Sequence, residues 1–178
     1  MNTLDAIHSR RAVRNYTDKE IPNEVLAQIL EAGRYSPSPL NSQPWHMIVL
    51  QDRDTIGKLS KNAHHGPFLS QARVVVIVVV DNNAKTDQWL AQHKQHIYSG
   101  VCAMENMWLA AWDFGVGCCW VTVDEKYTRE ILEIPINQIL LGSLVFGFPK
   151  GEVRKHIETD RKPIDQIVFY EKYGNIKQ

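Results

Sequence analysis

Two arginines stand four residues apart near the start of this 178-residue chain, and their type and spacing suit them to bind an anion. Arg10 and Arg14 belong to the run Ser9–Tyr16, directly after a predicted short helix, so that a helical turn would point both guanidinium groups the same way. Guanidinium groups match phosphate oxygens in pairs. The run is therefore a candidate phosphate site, although surface arginines are common and a solvated face explains the same pattern.

A second segment, Ser36–Trp45, combines a stiff backbone with amide side chains. Three prolines fall within eight residues of it, and they lower the entropy cost of holding polar groups in place. Asn41 and Gln43 each carry an amide that donates and accepts hydrogen bonds, so they could read the edge of a heterocycle. A rigid connector that leads into a strand explains the segment equally well.

A third segment, Gly115–Trp120, contains two glycines that permit a sharp turn or a close approach to a ligand. The alternative is a helix C-cap. The sequence contains no phosphate loop and no G-x-G-x-x-G run, so it gives no support to a classical dinucleotide site or P-loop. It also lacks any recognised Ser–His–Asp, Cys–His or metal-ligand spacing. We therefore assign no catalytic residue and no metal ligand.

The elements that must position these segments follow from the spacing of apolar residues. Apolar runs and Gly and Pro stop signals predict an α+β fold, in which helices cover a mixed sheet, rather than a regular doubly wound fold. The predicted helices are a short one before Arg10, one from Pro22 to Gly33, Asp52–Ser60, about Thr86–Phe114, and Glu125–Glu133. The predicted strands are Trp45–Leu50, Val74–Val80, Cys118–Val123, Ile139–Phe148 and a last one at Gln166–Tyr170.

Composition places the chain among globular proteins with a single domain, residues 1–178. Apolar residues make up 44% and charged residues 22%, and 20 basic side chains balance 20 acidic ones, which argues against a basic nucleic-acid binder. The longest apolar run, Val74–Val80, is too short to cross a bilayer. Residues 1–5 show no export signal, so we expect a cytoplasmic location.

Cysteines and histidines give no further site. The three cysteines, Cys102, Cys118 and Cys119, do not form a disulfide framework, because their number is odd and two are adjacent. His93 and His96 could share a helical face. Without further ligands we expect them to form a solvated polar turn.

Together the three segments resemble the FMN-dependent nitroreductase family in its short form. Ser9–Tyr16 is similar to the family's opening signature, R-x-[SA]-x-R-x-[FY], and Gly115–Trp120 to its G-[LV]-G-x-x-[WP] segment. Further matches are Tyr35–Ser38 with Asn41–Trp45, Gly147–Pro149 and Arg161–Pro163. The matches run in family order from residue 9 to residue 163 and so cover nearly the whole chain.

The resemblance implies nitroreductase-like α/β/α layers and an obligate homodimer with one FMN in each of two interface sites. In one subunit the phosphate and ribityl end would be held by Arg10, Arg11, Ala12 and Arg14, with Arg161 and Lys162 closing on the phosphate. The other subunit would contribute Pro37, Ser38, Pro39 and Asn41, with Gln43 at the rim. Along the isoalloxazine ring would lie Trp120, Val121 and Thr122.

The implied activity is a ping-pong reductase, in which NADH or NADPH reduces the flavin and a nitroaromatic, a quinone or a similar small acceptor then takes the place of the nicotinamide. Rival interpretations are another flavin-linked reduction such as dehalogenation, a non-catalytic flavin-binding dimer, and a plain structural domain. We interpret His64 and His65 as surface residues, and Cys118 and Cys119 as small packing residues, with action near the flavin as the alternative.

Overall fold

A computed structural model of the chain describes residues 1–63, 67–82, 88–153 and 161–176. Within these ranges the chain forms six α-helices and four β-strands. The helices are α1 (Thr3–Ser9), α2 (Asn23–Arg34), α3 (Arg53–Asn62), α4 (Gln88–Gln92), α5 (Gln95–Asp113) and α6 (Glu125–Leu132). The strands are β1 (Trp45–Leu50), β2 (Val74–Asp81), β3 (Gly117–Val121) and β4 (Gln138–Gly147). Short 3-10 turns lie at Pro39–Asn41, Pro67–Gln71 and Ile164–Gln166.

The four strands form one antiparallel sheet in the order β1-β2-β4-β3. β2 lies inside the sheet, and its β-branched run Val74–Val80 is buried on both faces, as a central strand between two layers requires. The register between β2 and β4 shifts next to Gly142, at a bulge. Beyond β3, a parallel bridge between Ala12 and Cys118 adds a short further piece to the sheet.

Helices cover both faces of this sheet, because alternate side chains of each strand point to opposite sides. On one face, Val76 belongs to a buried cluster with Ile29 of α2 and Met104 of α5. On the other face, Ile77 belongs to a cluster with Ile56 of α3, and α6 packs against the same cluster. The predicted α+β fold, with helices over a largely antiparallel sheet in α/β/α layers, is confirmed.

Capping residues set where several helices begin. The Asp52 carboxylate accepts a hydrogen bond from the N–H of Thr55 at 2.8 Å, and the Asp124 carboxylate accepts one from the N–H of Tyr127 at 2.7 Å. Each such cap contributes about 1 kcal/mol to its helix. Across the described ranges, no helix combines the length and the hydrophobicity that crossing a membrane requires.

Two predicted elements differ from the structure. The helix predicted over about Thr86–Phe114 is two helices, α4 and α5, because Lys94 adopts a left-handed backbone with a φ of 57° between them. Thr86 itself lies outside the described residues. The strand predicted at Gln166–Tyr170 is wrong, since this part of the chain continues from a 3-10 turn into exposed, irregular backbone. The residues of this segment are typical of a strand, but no described strand of the same chain pairs with it.

His93 and His96 lie in different environments. His93 is exposed and its ring stacks on Trp89 with centroids 4.0 Å apart, as a solvated turn allows. His96 is buried on α5, and this burial lowers its pKa. The prediction of a solvated turn is therefore wrong for His96. His64 and His65 lie outside the described residues.

Candidate functional site

The arginine run leaves α1 and lies in extended form at the corner of the sheet where β3 begins. The N–H of Val13 donates to the carbonyl of Cys118 over 2.9 Å, and the N–H of Thr17 donates to the carbonyl of Phe148 over 2.8 Å. Gly117 permits this approach, because a Cβ there would lie 2.7 Å from the Val13 side chain. The run is therefore not the helical turn considered from its spacing, since backbone bonds to the sheet hold it extended.

Tyr16 anchors this run to β4. Its ring is buried beside Gly147, where a Cβ would lie 2.8 Å from the ring. Its hydroxyl lies 2.5 Å from the carbonyl oxygen of Val13 and 3.0 Å from that of Val145. Burial raises the pKa of the Tyr16 phenol, so the hydroxyl stays protonated and donates to these carbonyls. The aromatic position of the opening motif is thus a structural anchor for the arginines before it.

The three arginines of the run have different partners. Arg10 donates from Nε to Oε1 of Glu105 on α5 over 2.9 Å. Arg11 donates from Nη1 to the carbonyl oxygens of His8, at 2.9 Å, and Arg10, at 2.7 Å. These carbonyls end α1, where a cation is favoured by the helix dipole. Arg14 is exposed to solvent. Arg11 therefore also serves the helix end, whereas the Arg14 side chain and part of the Arg10 side chain are open to solvent.

Two buried thiols, Cys118 and Cys119, lie beside the run on β3. Complete burial raises the pKa of Cys118 well above its ordinary value. Burial also raises the pKa of Cys119, and it outweighs the opposite effect of the Arg14 guanidinium. Both thiols are therefore protonated at neutral pH, which supports their interpretation as small packing residues.

Trp120 and Val121 end β3 and Thr122 follows it, two to four residues beyond Cys118, the residue that bridges to the arginine run. The Trp120 side chain is 37% exposed and covers Gly142, where a Cβ would lie 2.8 Å from the indole nitrogen. Val121 is buried, whereas Thr122 is exposed. The strand end thus presents an aromatic surface and a hydroxyl to solvent.

The proline segment forms a turn at Pro39–Asn41 that its own hydrogen bonds hold. Ser38 Oγ accepts from the N–H of Gln43 over 3.0 Å, and Gln43 Nε2 donates to the carbonyl of Asn41 over 3.3 Å. Leu40, Asn41 and Gln43 have φ values of 52°, 54° and 43°, in a region that non-glycine residues rarely adopt. Such strain costs about 1–3 kcal/mol per residue and is concentrated at functional sites, so it favours a binding loop over a plain connector.

The arginine run and the proline loop lie at opposite corners of the sheet. The run meets β3 at Cys118, level with Val74 in β2, whereas the loop enters β1 at Trp45, level with Val80. Along the strands, the six-residue rise from Val74 to Val80 is about 20 Å. Across the sheet, the path from β1 through β2 and β4 to β3, and from β3 to the run, has four spacings that add about 19 Å. One chain therefore keeps the two groups roughly 28 Å apart and does not bring them into one site.

The described tail, residues 161–176, begins with Arg161 and Lys162, both of which are exposed. Most of its apolar side chains are exposed as well, and the exposed fractions are 76% for Ile164, 59% for Ile167 and 94% for Tyr173. Clustered apolar exposure of this kind is typical of a surface that packs on another chain. The convergence of Arg161 on the arginine run stays a prediction.

Two open grooves lie near these elements. A groove of about 850 Å³ is lined in part by Ser9 and Trp112, and a groove of about 690 Å³ between α2 and β1 includes Gln43. Neither groove is lined by Arg14 or Trp120. Arg14 and Trp120 are nevertheless exposed to solvent in the single chain.

Sequence reasoning missed two residues of this corner, Glu105 and Trp108 on α5. Both contact the guanidinium group of Arg10, although Glu105 stands 95 residues away in the chain. The available signal was a single carboxylate within the apolar middle of a long helix. Such a carboxylate predicts a basic partner, but spacing alone does not say which one.

The sequence model of the Nitroreductase family matches this chain over residues 7–98 and 60–148. The chain belongs to the nitroreductase family. The matched residues include the arginine run, the proline loop and the end of β3, so the family identified from the motifs is confirmed.

Two relatives are similar to this chain over nearly its whole length. A protein of Archaeoglobus fulgidus, provisionally named NADH dehydrogenase/NAD(P)H nitroreductase, is 34% identical over 171 residues, which cover 92% of this chain and 95% of that protein. A Bacillus subtilis protein named FMN reductase (NAD(P)H) is 28% identical, with 97% of this chain and 74% of that protein covered.

Two solved structures share the fold. An FMN-dependent nitroreductase from Clostridium difficile R20291 has a TM-score of 0.82 and 26% identity, with 96% of this chain and 100% of that chain covered. NfrA2 of B. megaterium has a TM-score of 0.86 and 24% identity, with 97% of this chain and 76% of that chain covered. Nearly the whole described architecture is therefore that of the family.

Proposed function

We propose that this nitroreductase-family chain is an FMN-dependent oxidoreductase that uses NADH or NADPH to reduce nitroaromatic compounds, quinones or similar small acceptors. The names of its relatives, an FMN reductase and an FMN-dependent nitroreductase, support the cofactor. The placement of the arginine run is the observation that supports this function best. Backbone bonds fix the arginine run to the sheet, and the run still presents Arg14, and part of Arg10, to solvent.

The donor set at this corner fits the anionic end of FMN. A phosphate monoester carries close to two negative charges at neutral pH, and Arg10 and Arg14 supply two guanidinium groups that match its oxygens. Ala12 is exposed and has no side chain beyond Cβ, so it leaves room for the ribityl chain. Arg161 and Lys162 are the further cations that we propose for the phosphate.

We further propose a homodimer, in which each site combines the arginine run of one subunit with the proline loop of the other. The separation of roughly 28 Å between the two groups within one chain supports this arrangement. The exposed apolar tail supports it as well, because burial against a second subunit would remove that surface from water. The loop residues that would face the ring are Pro37, Ser38, Pro39 and Asn41, with Gln43 at the rim.

When bound, FMN supplies the chemistry by taking up a hydride from NAD(P)H and passing it to the acceptor in a second step. The residues of the chain position the reactants. Arg10 and Arg14 would hold the anionic end of the cofactor and so limit its movement relative to the sheet. At the end of β3, the exposed indole of Trp120 provides an apolar surface and the exposed Thr122 offers a hydroxyl, while the buried Val121 anchors the strand end in the core. Because the flavin would carry the redox chemistry, we assign no side-chain acid or base.

The visible absorption spectrum of the purified protein tests the proposed function. We expect a flavin spectrum that NADH or NADPH bleaches without oxygen and that a nitroaromatic or a quinone restores, with parallel double-reciprocal lines in the steady state. A flavin spectrum that neither nicotinamide bleaches would identify a non-catalytic flavin-binding dimer. Colourless protein that takes up no added FMN would identify a structural domain. Faster reoxidation by a halogenated acceptor would favour reductive dehalogenation.

Mixed dimers test the shared site. Arg14→Ala removes a guanidinium from the run, and Asn41→Asp replaces the amide of the loop by a carboxylate while keeping a side chain that tolerates the left-handed backbone. If each site draws on both subunits, a dimer of one variant chain with the other contains one intact site and regains FMN-dependent activity. If each site lies within one subunit, the mixture stays as inactive as either parent.

A further inference from the structure

We infer that Glu105 is a positioning residue for the phosphate site, because it holds the Arg10 side chain in one orientation. This inference rests on the proposed function. It concerns a residue of α5 that lies outside the sequence motifs and outside every segment predicted to touch the cofactor.

The contacts of Arg10 define that orientation. Nε of Arg10 donates to Oε1 of Glu105 over 2.9 Å, and the guanidinium carbon lies 4.5 Å from the ring centroid of Trp108. Trp108 is buried, so the indole ring that packs against the guanidinium group is held rigidly. Within the described part of the chain, the bond to Glu105 is the one hydrogen bond of the Arg10 side chain. The Glu105 carboxylate thus fixes the Nε edge of the Arg10 guanidinium, and the Trp108 indole covers one of its faces. Both Nη atoms of Arg10 are left for an anion.

A second residue on the same face of α5 as Glu105 also contacts the end of α1. Nε1 of Trp112 donates to Oγ of Ser9 over 2.8 Å, directly before Arg10 in the chain. Glu105, Trp108 and Trp112 are spaced by three and four residues, so they form one stripe on the helix. The three side chains of this stripe together fix the position of the end of α1 and of Arg10.

Holding Arg10 matters because an arginine side chain has many rotamers, and their loss opposes binding. An arginine that Glu105 and Trp108 already orient loses less freedom when it meets phosphate, and preorganisation of this kind raises affinity. The negative charge of Glu105 acts in the opposite direction, since it repels the phosphate. The carboxylate is 41% exposed, so water screens this repulsion. Orientation is therefore the larger effect.

Variants of Glu105 separate the two effects when FMN and riboflavin, which lacks the phosphate, are titrated into the apoprotein. Glu105→Ala and Glu105→Met remove the acceptor, and the second keeps side-chain length and helix propensity. We expect both to raise the dissociation constant of FMN by about three- to tenfold and to leave that of riboflavin within about twofold. Glu105→Gln keeps an acceptor oxygen without the charge, so it should bind FMN at least as tightly as the wild type.

Two comparisons complete the experiment. In an Arg10→Ala background, Glu105→Ala should cause no further loss of FMN affinity, because the residue that it orients is absent. Glu125→Ala, on α6, removes a carboxylate that pairs with Arg129 and should leave both flavin affinities unchanged.

The outcomes distinguish this inference from the proposed function. Wild-type protein that binds neither flavin would overturn both. Wild-type protein that binds FMN, with unchanged affinity in Glu105→Ala and Glu105→Met, would overturn the inference alone. Equal losses for FMN and riboflavin would also overturn it, since they would show a general structural effect. Tighter FMN binding in all three variants would show that Glu105 competes with the phosphate.

Discussion

Replacing Tyr16 by phenylalanine removes one oxygen atom from the junction between the arginine run and β4. That oxygen lies 2.5 Å from the carbonyl of Val13 and 3.0 Å from the carbonyl of Val145. The ring would keep its buried place beside Gly147. The substitution therefore tests the hydrogen bond and leaves the packing of the ring unchanged.

The geometry sets the size of the effect. The hydroxyl carries one proton, which two carbonyl oxygens share, so one buried hydrogen bond is lost. We expect Tyr16→Phe to lower the free energy of unfolding by about 1–2 kcal/mol. Because Val13 lies between Arg10 and Arg14, a looser run should also weaken FMN binding by about two- to fivefold.

The same hydroxyl predicts a dependence on pH. Burial raises the pKa of Tyr16 above the ordinary tyrosine value of about 10. Above that pH the unfolded chain releases the proton and the folded chain keeps it. The stability that the neutral phenol contributes is therefore complete below about pH 10 and falls by about 1.4 kcal/mol per pH unit above it. The stability difference between wild type and Tyr16→Phe should shrink to near zero at about pH 11.

Urea unfolding at about pH 8, 10 and 11, together with FMN titration at about pH 8, measures these effects. Tyr127→Phe is the matched control, because it removes a hydroxyl from a half-buried ring on α6, outside the run, and should change stability by less than about 0.5 kcal/mol. Equal stability of wild type and Tyr16→Phe at the lowest pH would refute the anchoring role. A difference that stays constant up to the highest pH would refute the argument from burial.

Three further substitutions test other parts of the molecule. Arg14→Ala should raise the FMN dissociation constant at least about tenfold in equilibrium dialysis, whereas Arg34→Ala, an exposed guanidinium on α2, should not change it. Gly142→Ala, at a φ of 137° and against an indole, should cost about 2–3 kcal/mol in urea unfolding, and Gly115→Ala, at 72° in open space, about 1 kcal/mol. Burial lowers the pKa of His96, so wild type but not His96→Leu should lose stability as pH falls below about 6.5.

Each of these expectations has an outcome that contradicts it. Unchanged FMN affinity in Arg14→Ala would remove that residue from the phosphate site. Equal losses in the two glycine variants would mean that backbone strain, and not the indole, limits position 142. An identical acid-induced loss in wild type and His96→Leu would place the responsible titration on another group.

Local pattern was enough to predict most of the fold. The β-branched run Val74–Val80 identified a strand covered on both faces, and Asp52–Ser60 fell within two residues of the helix α3. The exceptions depend on contacts that periodicity does not report. Lys94 breaks the long helix through a backbone conformation that lysine does not favour. Gln166–Tyr170 has strand-forming residues, but a strand needs a neighbour, and the described chain offers it none.

The sequence motifs defined a candidate site but not its geometry. The spacing of Arg10 and Arg14 predicted an anion site, yet sheet pairing makes their backbone extended. Glu105 could not be assigned to Arg10, because the two meet only through the packing of α1 on α5. Sequence order likewise gave no sign that the run and the loop fall at opposite corners of the sheet. Strand order decides that separation, and strand order is a property of the whole fold.

If each flavin site is built from two subunits, as we propose, protein concentration becomes a biochemical variable, because the two corners of one chain lie far apart. A ligand that must touch both corners, but is shorter than roughly 28 Å, needs two polypeptides at once. Turnover per milligram should then fall as total protein drops below the dissociation constant of the subunits, and it should recover on concentration. Enzyme assays run at nanomolar protein would in that case report assembly as much as catalysis.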